Sequence, residues 1–380
     1  MASDSSLEIV PVDLANRREV KRFIKFHYSV YKGDSNWVAP LIVDYLEKFN
    51  PKKNPYIGHS RVQPFLAIRD GNIVGRITAH ENTQHVAYHN DKVGFVGFFE
   101  CIDDVAVART LFDAAGKWLV ERGLEVMRGP ASFSVNGDPI GLLVQGFDSP
   151  PVVAMPYNPN YYEQLFVESG FTKAQDLYSY YYAIDGSVPE RIERIARRAL
   201  RNPRIVIRKP DMKHYREEID KLKFLYNSAL ADNWGAVPMT DAEFDHFSKD
   251  LKLAIDPEMT YIAEYDGQPV GLSLIFADMN QAIKPANGRL LPFGLARILI
   301  KKRSINCARL PVLGVMEQYR VKGIDAIFYY KSMQTGYRRG YRHGDVSWIL
   351  ESNSKMRIIL ERSGMEIYKI FRVYDRNLSG

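Results

Sequence analysis

A short segment near the C-terminus has the residue types of an anion-binding loop. It reads Gln318-Tyr-Arg320-Val-Lys322-Gly323-Ile-Asp325-Ala326 and stands between an apolar run, 310–316, and a helical pattern. Where a strand turns into a helix, the first N–H groups of the helix lack backbone partners and face outward at the positive end of the helix dipole. Gly323 would let the backbone approach a ligand closely, and Arg320 and Lys322 add positive charge. The segment predicts a diphosphate site, and the alternative is an ordinary connection between a strand and a helix.

Two predicted β-hairpins occupy corresponding places in the two halves of the chain. Residues 65–79 read FLAIRDGNIVGRITA, and residues 261–276 read YIAEYDGQPVGLSLIF. In each, an Asp-Gly pair joins two apolar runs and favours a tight turn, because both central residues of that turn adopt positive φ. About a hundred residues after each hairpin, a short helical pattern, 160–169 or 354–363, ends in Ser-Gly. This equal spacing of unlike sequence predicts one fold used twice.

The elements between the hairpin and the last helix follow the same predicted order in both halves. A strand, a helix and a second strand are expected at 93–100, 105–122 and 124–128, and again at 310–316, 325–338 and 345–351. A basic helix that Pro189 begins and Pro203 ends is the expected linker, 186–210. The predicted domains are therefore 1–185 and 211–380.

The composition is that of a globular chain with two domains. The 380 residues are 46% hydrophobic and 25% charged, which excludes a disordered, collagenous or coiled-coil protein. No apolar run reaches the roughly 18 residues needed to cross a bilayer, so we expect a cytoplasmic protein. Cys101 and Cys307 are too few for a disulfide scaffold or a zinc site, and we expect no metal.

Positive charge is concentrated in two segments. Residues 186–210 hold seven arginines and Lys209 against two glutamates, and residues 284–303 hold six cations and no acidic residue, although the whole chain carries only +6. An anionic partner should meet these segments first. The arginine-rich segment leaves open a non-catalytic nucleic-acid-binding protein as an alternative function. The apolar residues interleaved with its arginines favour an amphipathic helix between domains instead.

The second half resembles the acyl-CoA-dependent GNAT superfamily in the order of its elements: a hairpin, a strand, the loop, a helix, a strand, and then Asn353 before a helix that ends in Ser-Gly-Met. The loop pattern of that superfamily is Gln/Arg-x-x-Gly-x-Gly/Ala. Arg320 and Gly323 match it, whereas Asp325 stands where a small residue is usual. The corresponding junction of the first half, 99–104, has neither a basic residue nor a glycine. The resemblance therefore implies a first domain that has lost its cofactor loop.

Nearly the whole chain resembles a narrower family of tandem-GNAT bacterial proteins that includes the bacterial ceramide synthases. The segments that carry this resemblance are 97–101, 129–136, 141–148, 158–162, 233–235 and 320–326. The resemblance implies an α/β (α+β) fold of two GNAT-like domains in tandem, each a mixed, mostly antiparallel sheet flanked by helices. It also implies transfer of a fatty acyl group from acyl-CoA, or from an acyl carrier protein thioester, to a primary amine such as a sphingoid base. Transfer of a small acetyl group to a polar amine is the alternative.

By the same resemblance, the acyl donor would be held around the loop. The expected contacts are Val315, Met316, Arg320, Val321, Lys322, Gly323, Ile324, Asp325 and Asn353. Attack of an amine on a thioester needs a proton acceptor, a donor for the developing oxyanion and a proton for the leaving thiolate. Backbone N–H groups near Val315 and Met316 are the expected oxyanion donors.

The catalytic candidates are Glu317, Glu351 and Tyr319. The two glutamates stand at the predicted ends of neighbouring strands, where they could take or relay a proton. Many GNAT enzymes place a tyrosine four residues before the glycine of the last helix, but those positions are Phe166 and Leu360 here. Tyr319 is one possible substitute. Each candidate is also compatible with an ordinary surface or packing role.

The amine is expected near the polar loop 132–138 and the last helix of the first half. The candidate substrate contacts are Asn136, Asp138, Tyr161, Tyr162 and Trp234. The loop is longer than a connection needs, which is typical of functional loops, although hydrogen bonds within a turn would explain it equally. Residues 289–303, RLLPFGLARILIKKR, predict an amphipathic helix that either contacts the inner face of a membrane or packs on the core.

Overall fold

The computed structural model of the chain describes residues 6–134, 136–230 and 234–379, without the side chains of 229–230 and 250–254. The strands, in chain order, are β1 (Leu7–Pro11), β2 (Ser60–Arg69), β3 (Asn72–Asn82), β4 (Val93–Cys101), β5 (Val126–Gly129), β6 (Leu142–Gln145), β7 (Thr172–Ala183), β8 (Ile205–Arg208), β9 (Tyr261–Tyr265), β10 (Gln268–Ala277), β11 (Cys307–Val315), β12 (His343–Leu350) and β13 (Glu366–Asn377). The helices are α1 (Arg17–Val30), α2 (Ile42–Lys48), α3 (Pro55–His59), α4 (Thr83–His89), α5 (Val105–Val120), α6 (Tyr162–Glu168), α7 (Glu190–Ala199), α8 (Tyr215–Leu230), α9 (Asp241–Ala254), α10 (Asn280–Ile283), α11 (Gly294–Lys301), α12 (Ile324–Arg338) and α13 (Ser354–Glu361).

The chain divides into two compact units that are interleaved in sequence. Unit 1 consists of Met1–Asp176, Ile283–Ile298 and Ile370–Gly380, and unit 2 of Leu177–Ala282 and Leu299–Lys369. Each unit therefore contains residues from both halves of the chain.

The predicted domains, 1–185 and 211–380, are continuous in sequence, and the units differ from them. Most of β13 belongs to unit 1, and most of β7 belongs to unit 2. The predicted linker, 186–210, lies within unit 2 and forms α7 and β8. The two aromatic-rich strands have the same alternating pattern, so the sequence does not distinguish which sheet each one joins.

Unit 1 is built on a mixed sheet. Strands β1 to β4 pair antiparallel with their neighbours, β4 pairs with β5 in parallel, and β13 pairs antiparallel with β5 and β6. The apolar residues of α5 recur every four positions and so lie on one face of the helix. Val107, Leu111, Ala115 and Leu119 form this stripe and are fully buried in the core.

Unit 2 repeats this order of strands. Strands β8 to β11 pair antiparallel with their neighbours, β11 pairs with β12 in parallel, and β12 pairs antiparallel with β7. The helix α12 packs its buried residues Ile324, Ile327 and Phe328 into the core. On α7, Ile192 and Ala196 are buried, so the apolar face of this arginine-rich helix is covered by the core of unit 2.

Both predicted hairpins are confirmed. The first turns at Asp70 and Gly71, with φ of 51° and 75°, and the second at Asp266 and Gly267, with φ of 50° and 77°. Positive φ at both central residues is the geometry that an Asp-Gly pair favours. No helix in the described part of the chain is long and apolar enough to cross a membrane.

Candidate active site

The strands β11 and β12 separate where the predicted donor site begins. Within the described residues, their parallel pairing covers 307–310 with 343–346. The pairing of β11 with β10 continues to Val315, which lies opposite Gly271. Among the described residues, β12 therefore does not pair with 311–315, and on this edge the carbonyl oxygen of Val315 accepts a hydrogen bond from Arg320.

The predicted anion-binding loop is a tight turn. Residues Glu317–Lys322 form a 3-10 helix, and Gly323 follows with φ of 76° before α12 begins. A Cβ atom at Gly323 would lie 3.0 Å from the side chain of Ile195 and 3.2 Å from that of Ala199, both on α7. Glycine is thus required here by the positive φ and by the close approach of α7.

The two cations of the loop lie at its surface. Arg320 is exposed, and its Nε donates to the carbonyl oxygen of Val315 at 3.2 Å. The ammonium group of Lys322 lies 4.8 Å from the ring centroid of Tyr265. Val321 between them is 94% exposed, which keeps the backbone of the turn accessible.

Asp325 occupies part of the helix N-terminus that the prediction assigns to a diphosphate. Burial raises the pKa of its carboxyl group, while hydrogen bonds from the N–H of Ala326 and from its own N–H lower it. The carboxyl group of Asp325 therefore lies in the first turn of α12. An anionic ligand at this helix would have to displace it or bind beside it.

The other predicted donor contacts are mostly engaged within the chain. The N–H of Met316 donates to the carbonyl oxygen of Val270 at 2.9 Å, so this bond must open before the group can serve an oxyanion. Val315 and Ile324 are buried in the core and offer only backbone atoms. The side chain of Asn353 accepts the N–H of Met356 at 3.2 Å and caps α13.

Two catalytic candidates of unit 2, Glu317 and Glu351, directly follow or lie near the ends of the neighbouring strands β11 and β12, and Tyr319 lies in the turn after β11. Glu317 is exposed and begins the turn after β11, and Glu351 is half-buried directly after β12. The ring of Tyr319 packs against Tyr265 with centroids 5.2 Å apart. Their roles in proton transfer stay predictions.

The polar loop of unit 1 is closed by its own hydrogen bonds. Asp138 pairs with Lys48 and accepts the N–H of Ser134 at 3.1 Å, and the N–H of Asn136 donates to the hydroxyl of Ser134 at 3.3 Å. These contacts match the alternative of a stabilised turn. Trp234 is half-buried in unit 2, between α8 and α9.

The two tyrosines predicted to contact substrate surround the end of β4. The hydroxyl of Tyr162 donates to Oε2 of Glu100 at 2.7 Å and accepts the N–H of Cys101 at 2.9 Å. The hydroxyl of Tyr161 donates to the carbonyl oxygen of Cys101 at 2.7 Å. Tyr162 is only 1% exposed, so its hydroxyl belongs to the interior of unit 1.

Glu100 is the centre of a buried polar group that the sequence interpretation missed. Its Oε1 lies 3.0 Å from Nε2 of His27 and 3.5 Å from Nη2 of Arg76. The hydroxyl of Tyr31 also reaches this carboxylate, and it lies 3.1 Å from the carbonyl oxygen of Tyr157. We call His27, Tyr31, Arg76, Glu100 and Tyr162 the Glu100 cluster.

Burial shifts the pKa values of Glu100 and His27 in opposite directions. It raises the pKa of Glu100 to about 7, against the charge of Arg76 and the hydrogen bonds from Tyr162 and Tyr31. Burial, followed by the charge of Arg76, lowers the pKa of His27 well below its ordinary value. Near neutral pH, His27 is therefore an uncharged imidazole beside a carboxylate that is close to its own pKa.

Two sequence signals mark this cluster. His27 follows Val20, Phe23 and Ile24 at helical spacing, so a histidine stands on the buried face of α1. Glu100 stands near the end of VGFVGFFEC, the sequence of β4, in which every residue is buried. A charged side chain in such a strand is rare unless it is paired.

Unit 2 has its own buried polar group, but its members are bonded to one another. Nε of Arg309 donates to the hydroxyl of Ser347 at 3.0 Å, and the hydroxyl of Tyr368 donates to Asp345 at 2.7 Å. Ser347 also donates to Asp345. Unlike the Glu100 cluster, this group has no buried side-chain nitrogen or oxygen without a partner in the described residues, which indicates a structural role.

No group of three or more His, Cys, Asp or Glu side chains in the described residues is placed to hold a metal ion.

Comparison with known proteins finds relatives that match along the whole chain. The chain is 35% identical over 384 residues to the bacterial ceramide synthase of Caulobacter vibrioides, which covers 99% of each chain. It is 34% identical over 370 residues to protein YghO of Escherichia coli, which covers 96% of this chain and 94% of that protein. No protein-family model matches the chain.

Solved structures show the same fold at low sequence identity. A tandem GNAT protein from the clavulanic acid biosynthesis pathway has a TM-score of 0.59 at 11% identity and covers 99% of each chain. A GCN5-related N-acetyltransferase from Sphaerobacter thermophilus has a TM-score of 0.52 at 12% identity and covers 97% of this chain and 96% of its own. These likenesses bear on the fold alone.

Proposed function

The chain belongs to the tandem-GNAT acyltransferase family that includes the bacterial ceramide synthases, and from this premise we propose that it transfers a long-chain acyl group from acyl-CoA to the primary amine of a sphingoid base. It is an acyltransferase, and its predicted fold of two GNAT-like domains is confirmed. The observation that carries the proposal is that the similarity to a ceramide synthase covers 99% of both chains.

Unit 2 offers the features that an acyl-CoA donor needs. Exposed Arg320 and half-buried Lys322 would contact the diphosphate, and the free edge of 311–315 would pair with the amide groups of the pantetheine arm. Asp325 opposes this binding through its charge, so the diphosphate would lie on the side of the two cations. We propose Val321 and Gly323 as backbone contacts of the same ligand.

An apolar and basic segment supports a lipid substrate. Leu291, Phe293 and Ile300 are 79%, 67% and 71% exposed in the segment 289–303, which includes α11. The same segment carries five cations and no acidic residue. Exposed apolar side chains beside positive charge fit the surface of an anionic membrane, from which a long-chain amine could be taken.

The test is release of free thiol from acyl-CoA by the purified full-length chain. Acyl chains of 2 to about 18 carbons are compared, with sphinganine and with a small polar amine as acceptors, and the amide product is identified by mass spectrometry. The proposal predicts thiol release and amide formation with long chains and the sphingoid base. Preference for acetyl-CoA and the polar amine would favour the small-acyl alternative instead.

Two further arms separate the remaining alternatives. Replacing acyl-CoA by the same acyl group on an acyl carrier protein identifies the donor. Co-sedimentation with vesicles containing anionic lipid, or with neutral vesicles, tests the segment 289–303. Binding to anionic vesicles that is lost at high salt agrees with the proposal.

A further inference from the structure

We propose that the Glu100 cluster of unit 1 binds the amine substrate and that Nδ1 of His27 accepts the proton that the amine loses, with Glu100 as the residue that positions the imidazole. The inference rests on the proposed function, since it assigns a place and a proton acceptor to the same reaction. The residues that carry it all lie in unit 1.

The hydrogen bonds of His27 leave one ring nitrogen for a ligand. Nε2 lies 3.0 Å from Oε1 of Glu100, whereas Nδ1 is buried and has no hydrogen-bond partner among the described residues. When Glu100 is ionised, Nε2 carries the hydrogen and donates it to the carboxylate. Nδ1 then carries the lone pair, which is the arrangement of an imidazole base oriented by a carboxylate.

Burying the ionisable side chains of the Glu100 cluster costs folding free energy, which is a second argument for a functional role. Arg76, Glu100 and His27 are 1%, 6% and 7% exposed. Nε of Arg76 also lacks a partner among the described residues, although Nη1 donates to the carbonyl oxygen of Phe23 at 3.0 Å. Apolar side chains of similar volume would usually be as stable at such positions. Buried ionisable groups with strongly shifted pKa values are typical of functional sites.

The surroundings of His27 fit an amine with an alkyl chain. Four aromatic rings lie around the imidazole, with centroid distances of 5.0 Å to Tyr31, 5.3 Å to Trp37, 6.0 Å to Tyr45 and 6.2 Å to Tyr28. Trp37 and Tyr45 are half-buried, so they form the outer side of the cluster. The faces of aromatic rings attract an ammonium group, and their carbon surface suits the first methylenes of a lipid.

The proton transfer balances with the proposed acyl transfer. The nitrogen of the neutral amine attacks the thioester carbon, a C–N bond forms and the C–S bond breaks. One N–H proton of the amine passes to Nδ1 of His27, and the resulting imidazolium is stabilised by the Glu100 carboxylate. The thiolate leaves and takes up a proton, so the products are an amide and a free thiol, and His27 returns to its neutral form.

His85 provides a matched control because its hydrogen bonding is similar. It is 2% exposed, its Nε2 lies 3.2 Å from Asp91, and its Nδ1 also lacks a partner among the described residues. Asp91 is partly exposed, and burial lowers the pKa of His85 to about 4. His85 lies on α4 and does not belong to the Glu100 cluster, so we expect it to have no role in the reaction.

The experiment compares His27→Gln with His85→Gln in the full chain. The glutamine amide can replace Nε2 as a donor to the carboxylate, but it supplies no base at the place of Nδ1. His27→Gln should lower kcat at least about 100-fold. His85→Gln should leave kcat within about threefold. Melting curves of both variants show whether the fold is kept. The change in tryptophan fluorescence on adding sphinganine shows whether the amine still binds.

The pH profile separates a proton acceptor from a structural residue. Deprotonation of the ammonium form of the substrate raises kcat/KM about tenfold per pH unit in any variant. Deprotonation of Glu100 adds a second such dependence below about pH 7. The slope of log kcat/KM at acidic pH should be about two in the native chain and about one in His27→Gln. The titratable and charged groups that face Glu100 are His27, Tyr31, Tyr45, Arg76, Cys101, Tyr161 and Tyr162.

The outcomes distinguish the two proposals. If the native chain releases no thiol with any amine, the proposed function fails and this inference fails with it. If the native chain is active and His27→Gln keeps both its rate and its steeper slope, the inference alone is wrong. Loss of rate with an unchanged slope would also overturn it, because that result indicates a structural role for His27.

Discussion

Replacement of Glu100 by glutamine should make unit 1 more stable at alkaline pH while removing most of the activity. The pKa of this carboxyl group is raised from 4.5 to about 7 because burial outweighs the attraction of Arg76. One pKa unit corresponds to about 1.4 kcal/mol, so ionised Glu100 destabilises the folded chain by about 3 kcal/mol relative to its protonated form. Glutamine mimics that protonated form at every pH.

Part of this gain is lost to hydrogen bonding. The new NH2 group must face an acceptor, and His27 can supply one only by moving its ring hydrogen from Nε2 to Nδ1. We therefore expect a net gain of about 1–3 kcal/mol in the free energy of unfolding at pH 8.5. The same tautomer change removes the lone pair from Nδ1, which is why kcat should fall about 100-fold or more.

The stability gained by Glu100→Gln should increase with pH. Because the pKa of Glu100 is higher in the folded chain than in the unfolded chain, protonated Glu100 adds to the free energy of unfolding. This contribution is fully present below pH 4.5, the unfolded pKa, and is lost as the pH rises to about 7, the folded pKa. Native and Glu100→Gln chains should thus have similar stability at pH 4.5 and differ most above pH 8.

Hydrogen exchange of the amides in β3 and β4 is the suitable assay, because it reports on unit 1 alone. Glu125→Gln, which changes an exposed carboxylate of the same unit, is the control and should shift stability by less than about 0.5 kcal/mol. The reasoning is refuted if Glu100→Gln is less stable than the native chain by more than about 1 kcal/mol at pH 8.5. That result would mean that the pair with Arg76 outweighs the cost of burial.

Three further predictions concern the donor site, the membrane segment and the turn before α12. Replacing Arg320 and Lys322 together by alanine should weaken CoA binding about 10- to 100-fold in calorimetry, whereas Arg201→Ala, at another exposed cation, should change it less than about twofold. Phe293→Ala should weaken binding to anionic vesicles roughly tenfold in co-sedimentation, since this exposed ring would be buried in the lipid surface. Unchanged binding would mean that Phe293 does not contact the membrane. Gly323→Ala should lower the stability of unit 2 by about 1–2 kcal/mol, because alanine is strained at φ of 76° and would crowd α7; a neutral effect in hydrogen exchange of α12 would contradict this.

The elements of the fold could be predicted because their signals are local. An Asp-Gly pair between alternating apolar runs specifies a hairpin by itself, and both hairpins are observed. The partners of β7 and β13 could not be predicted, since either aromatic strand could complete either sheet by its pattern. Which edge a strand joins depends on long-range packing that periodicity does not record.

The candidate site could be predicted only where its residues lie close together in sequence. The loop around Arg320 is one continuous segment, and Tyr161 and Tyr162 stand at a helix start. Glu100 and His27 lie 73 positions apart, and each taken singly has the surroundings of a core residue. Their pairing is a property of the folded chain, so it became visible only when β4 and α1 were seen in contact.

The most direct test of the whole account is a single-turnover reaction of the native chain with excess enzyme, palmitoyl-CoA and sphinganine, in which thiol and amide are measured together. We expect one free thiol and one N-acyl amide for each palmitoyl-CoA consumed, and no thiol release when the amine is omitted. Thiol release without amide, or no reaction with any long-chain amine, would contradict it.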